Sequence, residues 1–476
     1  MSAEIIGLSI LILAVALLIG KLLRYYVPIF YRFFIPSSII AGFILLILGP
    51  EILGVFFNDG FLEKGLFNQN IMDVFRAIPS LLITIVFAGL FLGKKTPKGK
   101  DVFRVSGPQL AYAQTAAWGQ YVVGILAAIL ILVPVFDAQV MVGALIEIGF
   151  EGGHGTAAGL EETFNSIGFS EGTDLALGLA TVGIVGGLII GVFIINWGVK
   201  NKRTAYLQSK KEVDDVMKTG VIPEDKRKKN IALTVSSESI EPLALHLGLY
   251  ALAIIVGIGL LESLQWIERI TWGGEEGIQL FAHVPLFPLA MLGGVIVQFV
   301  VNKLDRYNIF DRKMIERIQG LALDFLIVSA LASLSLTVIG QHIEVFLILA
   351  ALGIGWNLFV FFVLAPRMIP KYWFERGIGD YGQSMGMTAV GLILIRIVDS
   401  KNKTPSLEAF GYMQLFFEPF IGGGLITAMS VPLIYNFGPW PLLIVASVLC
   451  VGWLLAGLLY FGKLSPSTQD RFKDNK

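Results

Sequence analysis

Apolar runs long enough to cross a bilayer recur along almost the whole chain, and a soluble core has no room for so many. A membrane-spanning helix needs about 17 to 25 largely apolar residues. Such runs fall near 4–21, 33–50, 77–93, 106–135, 175–199, 244–264, 283–301, 318–340, 344–364, 409–434 and 440–462. Of the 476 residues, 55% are hydrophobic and only 15% charged, against about 25% charged in a soluble domain. Lipid must therefore face much of the surface. The fold class is an all-α polytopic membrane protein of about 11 transmembrane helices.

The remaining composition excludes other classes. With 36 basic and 36 acidic residues, nothing draws the chain to nucleic acid. One cysteine, Cys450, allows neither a disulfide framework nor a cysteine-based metal site. His154, His246, His283 and His342 lie far apart, and neither HExxH nor a phosphate loop occurs. No nucleophile stands at a telling distance from a base, so the chain reads as no enzyme and needs no cofactor. A cleavable signal peptide carries its positive charges ahead of the apolar run. Here Lys21 and Arg24 follow it, which predicts an uncleaved first span with its N-terminus outside.

Lys and Arg concentrate in alternate loops. Of the 36, 33 fall in 21–34, 94–104, 200–229, 302–317, 366–376, 396–403 and 463–476. Lys64, Arg76 and Arg269 are the exceptions. Positive charge marks the cytoplasmic side, so the linker and the C-terminus are expected inside. The charged linker 200–243 separates two similar halves, 1–199 and 244–436, and a final span and tail occupy 437–476. Lys226 to Lys229 in that linker read as solvated charge, with anionic lipid contact as the alternative. Each half reads as four spans, a broken segment, and a fifth span. Five is odd, so the halves run in opposite senses. That is the hydropathy pattern of an inverted-repeat secondary transporter, in which the last helix is an addition.

The broken segments lie near 138–166 and 377–399. The first reads Gly149-Phe150-Glu151-Gly152-Gly153-His154-Gly155-Thr156-Ala157-Ala158-Gly159, too rich in glycine for a regular helix. The second reads Gly377-Ile378-Gly379-Asp380-Tyr381-Gly382-Gln383-Ser384-Met385-Gly386-Met387-Thr388-Ala389. Non-helical backbone survives at membrane depth only where protein or water satisfies it. Both segments are expected to form re-entrant hairpins from opposite sides. The tip of the first would present free N–H groups and a helix N-terminus after Thr156, which favours carboxylates. Matching breaks in two halves point to the binding site.

Gly152-Gly153-His154-Gly155-Thr156 resembles the GGHGT hairpin motif of the bacterial sodium/glutamate symporter family. Ile167-Gly168-Phe169, Ala180-Thr181-Val182-Gly183-Ile184-Val185-Gly186-Gly187-Leu188-Ile189, and Ile35-Pro36 with Ala41-Gly42 are similar to that family too. The resemblance covers most of the chain and is strongest in 140–192. It implies sodium-coupled glutamate uptake across the bacterial inner membrane by two inverted five-span repeats. It also implies a homodimer in which a transport domain moves past a scaffold, elevator fashion. Two positions depart from the family pattern. Glu151 stands where serine is usual, and Met387 stands where a Thr-Pro-Thr-Ala run has proline. A carboxylate at Glu151 repels a dicarboxylate substrate unless it is protonated, paired or bound to a cation.

The expected substrate-binding residues are Gly152, Gly153, His154, Gly155, Thr156, Gly382, Gln383, Ser384, Gly386 and Thr388. Glu151, Asp380 and Glu418, with Thr156 and Thr388, are the ion-coupling candidates for Na+. An ionisable group inside a membrane is functional by default. Blander roles compete for each. His154 can simply brace the hairpin, Thr156 and Thr388 can cap helices, and Asp380 can face water at the inner mouth. Glu418 can pair with Arg396, and Pro419 beside it should kink its helix. Asp324 and Asn357 are weaker candidates, and Glu161 and Glu162 read as solvated charge at the outer mouth. Trp266, Trp272, Tyr307, Trp373 and Trp440 fall at span ends as interface anchors. A symporter of a small amino acid or carboxylate is the expected function, with a proton-coupled carrier of another solute or an ion channel as alternatives.

Overall fold

The computed structural model describes residues 2–57, 65–94, 99–207, 220–222, 234–236, 238–273, 280–399 and 402–463, and of 99–105 the backbone alone. Most of the linker, including Lys226 to Lys229, and the tail from 464 onward lie outside these residues. The protein is helical throughout, with no strand among the described residues. In chain order the helices are α1 (Ala3–Tyr26), α2 (Ser37–Leu48), α3 (Gln69–Ala88), α4 (Gly99–Ala127), α5 (Leu145–Phe150), α6 (Gly153–Gly159), α7 (Glu161–Ser166) and α8 (Glu171–Lys200). They continue as α9 (Pro242–Thr271), α10 (Leu286–Leu304), α11 (Arg312–Ala332), α12 (Ile343–Phe359), α13 (Trp373–Val398), α14 (Ser406–Phe417), α15 (Leu425–Phe437) and α16 (Pro439–Leu455).

Ten helices among the described residues are long and apolar enough to cross a membrane, so the protein is an all-α polytopic membrane protein. The sequence reading of about 11 spans differs in three places. Helix α11 is amphipathic rather than uniformly apolar, because Arg312, Lys313, Glu316, Arg317 and Asp324 all lie on it. The expected span 409–434 is two helices, α14 and α15, with residues 418–424 between them. Pro419 and the run Gly422-Gly423-Gly424 interrupt the helix outright rather than kink it, and Gly422 and Gly423 both take positive φ. Conversely, α13 is apolar enough to count as a span.

The chain forms two compact units, and each draws on both halves. The first comprises residues 1–96, 154–177 and 216–338, hence α1 to α3, α9 to α11, α7, nearly all of α6 and the start of α8. Its helices approach through small residues. A Cβ added at Gly257 of α9 would lie 2.6 Å from Ala290 Cα of α10, and one at Gly293 would lie 2.1 Å from the Ala253 carbonyl. Lipid tails are as apolar as leucine, so close backbone packing, not apolar burial, holds such helices together. Polar ties secure the end of α3. Arg312 Nη1 donates to the carbonyls of Gly89 at 2.9 Å and Leu92 at 2.5 Å, and Gln319 Nε2 donates to that of Val86 at 3.0 Å.

The second unit comprises residues 97–153, 178–215 and 339–476. Its α13 is not one straight rod. Gly386 (φ −149°, ψ 45°) and Met387 (φ 60°, ψ 173°) leave helical geometry in the middle of the run. A Cβ on Gly382 would meet Gly391 Cα at 2.8 Å, and one on Gly391 would meet the Gly379 carbonyl at 2.5 Å. Gly382 and Gly391 would stand about 13 Å apart along an uninterrupted helix. The two arms therefore fold back on each other, glycine against glycine.

Two glycines of α9 test the packing of the first unit. Gly257→Leu forces α9 and α10 apart and should cost about 1–3 kcal/mol, seen as a lower thermal unfolding midpoint in detergent. Gly259→Leu, with nothing within 4 Å of the added carbon, should leave the midpoint at the wild-type value. Equal loss in both would mean that α9 does not pack on α10 through this face.

Candidate functional site

The breaks expected from the sequence meet inside the second unit. At Gly153 the backbone takes φ +70°, and a Cβ there would sit 2.8 Å from Met387 Sδ. Any side chain at Gly153 would be strained by conformation and blocked by the sulfur. Met387 itself has φ 60° and ψ 173°, a region almost reserved for glycine that costs a side-chain-bearing residue about 1–3 kcal/mol. Helix α8 adds a stripe of small residues against the same break, where a Cβ on Gly183 would lie 2.1 Å from the Met385 carbonyl.

Breaking a helix frees carbonyls that lipid cannot satisfy. Here two buried amides meet the Ser384 carbonyl. Gln120 Nε2 of α4 donates to it at 2.7 Å, and Asn357 Nδ2 of α12 at 2.8 Å. Gln120 also donates to Asn357 Oδ1 at 3.2 Å. Asn357, a minor candidate from sequence, is thus a bracket for the second break, and Gln120 was not foreseen at all.

The first break departs from expectation in detail. The N–H groups of Glu151 and Gly152 are taken, both donating to the Glu147 carbonyl, at 3.0 and 3.1 Å. Helix α6 restarts at Gly153, so His154 and Thr156 lie inside it rather than ahead of it. The boundary between the two units falls here. His154, Gly155 and Thr156 belong to the first unit, and Glu151, Gly152 and Gly153 to the second. His154 and Thr156 are fully buried.

Four carboxylates lie buried around these breaks in the second unit. Glu147 is completely occupied. Its Oε2 accepts from the Tyr121 hydroxyl at 2.5 Å, and its Oε1 accepts from the Gly422 N–H at 3.0 Å and the Thr427 hydroxyl at 2.8 Å. It clamps the 418–424 interruption to α5, and sequence reading passed over it although it is the lone charge in an apolar stretch. Asp380 Oδ1 accepts from Gln109 Nε2 at 2.9 Å, and Gln109 Oε1 accepts from Arg376 Nε at 3.0 Å. Asp380 is 1% exposed, so it does not face water at a mouth. Arg376, counted with a loop in the charge pattern, is a buried residue of α13. Thr388 Oγ1 donates to Glu418 at 2.9 Å, which joins two of the expected ion-coupling residues. Glu151, 2% exposed, lies against the side chains of Ser384 and Gln383. Gln383 in turn pairs amide to amide with Gln414.

Asp324 is in the first unit beside Ser38, and Glu161 and Glu162 lie in the first turn of α7. Among the described residues no three His, Cys, Asp or Glu side chains gather into a metal cluster.

Apolar spanning helices around two touching breaks, the second braced by amides, describe a membrane carrier. A profile of the sodium/glutamate symporter family matches residues 4–391, most of the chain. A sodium/glutamate symporter of Haemophilus influenzae is 24% identical over 432 residues, which span 88% of this chain and 94% of the relative. The chain belongs to the sodium/glutamate symporter family. As a member of a symporter family it is a secondary carrier and not an enzyme.

Asn357→Leu tests the brace. It removes a donor from a buried carbonyl, which should cost about 1–3 kcal/mol, and Gln120→Leu should do the same. If the two act on one carbonyl, the double variant should lose measurably less or more than the sum of the single losses in thermal unfolding. Strict additivity would mean that they do not share it.

Proposed function

We propose that this carrier is a sodium-coupled symporter of glutamate or a closely related small amino acid or carboxylate. The observation that carries the reading is the contact between Gly153 and Met387, one from the break of each half. A solute held where both breaks meet can be released to either side as one break or the other gives way. The fold-back of α13 through Gly379, Gly382 and Gly391 supports a re-entrant hairpin in the second half. The drawing of α1 to α3 from one half and α9 to α11 from the other into the first unit supports two inverted five-helix repeats. The named relative is described as a sodium/glutamate symporter, which favours sodium as the coupling ion and glutamate as the substrate.

In this reading Gly152, Gly153, His154, Gly155 and Thr156 contact the solute from one hairpin. Gly382, Gln383, Ser384, Gly386 and Thr388 contact it from the other. Glu151, Asp380 and Glu418, with Thr156 and Thr388, carry the ion coupling. Coupling requires that sodium and solute each raise the affinity for the other by the same factor. The charge pattern supports an N-terminus outside, with the linker and C-terminus in the cytoplasm, in a bacterial inner membrane. Transport proceeds by elevator-like alternating access in a homodimer.

The test is uptake of labelled L-glutamate into proteoliposomes with and without an inward sodium gradient. Accumulation should require the gradient. His154→Ala should lower uptake by roughly tenfold or more, as expected for losing a hydrogen bond to a charged group at about 1.5–3 kcal/mol, while the protein stays monodisperse. Uptake without accumulation, indifferent to sodium, would count for a channel.

A further inference from the structure

Helices α9 and α10 of the first unit touch backbone to backbone at Gly257 and Gly293. Toward the turn at 305–310 they leave a groove of about 470 Å³ between them. Its walls are Leu252 and Val256 from α9 and Ile296, Val300 and Leu304 from α10. Of these, Leu252, Ile296, Val300 and Leu304 are exposed. Both helices are long and apolar enough to cross a membrane. A void between spanning helices forfeits dispersion contacts along its whole lining, so acyl chains are drawn into it. From Ile296 to Leu304 the groove runs about 12 Å along α10, less than half of a hydrocarbon core about 30 Å thick. It therefore fits within one leaflet, as a single acyl chain does.

One end of the groove is polar. Arg306 and Tyr307, both exposed, line it there. Among the described residues no carboxylate forms an ion pair with Arg306. Asp305 also lines this end, but its carboxylate closes the turn, accepting from the Tyr307 N–H at 3.2 Å and the Phe310 N–H at 3.3 Å. Lys303 adds a second positive charge at the end of α10, its ammonium 4.2 Å from the centre of the Phe299 ring. The segment 302–317 as a whole carries Lys303, Arg306, Arg312, Lys313 and Arg317 against Asp305, Asp311 and Glu316, an excess of positive charge beside the groove.

The polar end is also held in place. His246 Nδ1 donates to the Pro242 carbonyl at 2.6 Å, and its Nε2 accepts from the Asp311 N–H at 2.8 Å. The ring packs edge-on against Phe310, which lines the groove. Thr234 Oγ1 donates to the Ile309 carbonyl at 2.6 Å. The turn that carries Arg306 is thus fixed to the start of α9.

We propose that this groove binds one anionic phospholipid, with an acyl chain along the apolar walls and the headgroup phosphate on the Arg306 guanidinium. Apolar length and a positive end match the two parts of such a lipid, and basic pockets between spanning helices are where anionic headgroups settle. The site lies wholly in the first unit and is independent of the solute and ion reading.

The experiment uses purified full-length protein in detergent and follows thermal unfolding as dioleoyl phosphatidylglycerol or dioleoyl phosphatidylcholine is added at matched ratios. A ligand that binds only the folded state raises the midpoint with its concentration. The wild type should rise at lower phosphatidylglycerol than phosphatidylcholine. Arg306→Gln should need roughly fivefold more phosphatidylglycerol for the same rise, the worth of one basic residue beside an anionic lipid. Val300→Trp, which fills the groove, should abolish the preference. If Val300→Trp does not fold, Leu252→Trp on the opposite wall takes its place. Arg269→Gln, exposed at the other end of α9, should respond like the wild type. Equal responses of the wild type to the two lipids overturn the site, as does a preference that survives both Arg306→Gln and Val300→Trp. A rise given by inorganic phosphate alone makes it a site for a free anion and overturns the lipid. A changed oligomeric state in Val300→Trp by light scattering, with no dependence on lipid identity, assigns the groove to a second copy of the chain and overturns it too.

Discussion

The pair of hydrogen bonds on the Ser384 carbonyl is the interaction on which the centre of the second unit rests. Lipid offers no donors, so a helix that breaks inside a membrane must find them within the protein. Gln120 and Asn357 supply two, one from α4 and one from α12. Neutral amides suit this task because they carry both donor and acceptor without the desolvation cost of a charge. With that carbonyl secured, Gly386 and Met387 can leave helical geometry, and the glycines of α8 can close on the break from another side.

The large features were legible in the sequence because they are written in quantities that add up along a run. Mean hydropathy located most of the long helices, and glycine clusters located both breaks. What resisted reading were single side chains whose meaning depends on their neighbours. Gln109 and Gln120 lie in an apolar helix and carry no charge, so nothing in the chain sets them apart from other polar residues in a span. Arg376 sits next to the Trp373–Phe374 edge, and the charge pattern counted it with a loop, whereas α13 begins three residues earlier and buries it. The interruption at 418–424 reads in the sequence as a kink because the apolar residues continue on both sides of it. Glu147 did carry a signal, being a lone carboxylate in an apolar stretch, and it was eclipsed by the glycine motif that follows.

Glu147 and Glu151 show how little residue type says about role inside a membrane. Both are buried, Glu147 in the first turn of α5 and Glu151 just past its last residue. One is saturated by a tyrosine, a threonine and a backbone N–H, which makes it a structural tie between distant parts of the chain. The other lies against the Ser384 and Gln383 side chains of α13. The difference lies in what the other helices present at each position, and no pattern local to the sequence encodes that.

The fold-back of α13 has a mechanical meaning. Its arms touch at Gly382 and Gly391 through backbone atoms, and the Ile395 and Leu394 side chains of the second arm seat directly on Gly379 and Gly382 of the first. Two rods in such contact cannot slide or tilt against each other by small rotamer adjustments. They separate by losing many contacts together or they stay joined. The hairpin is therefore a single stiff wedge, and any opening at its tip has to come from the whole wedge swinging about its ends rather than from the two arms parting like a zip.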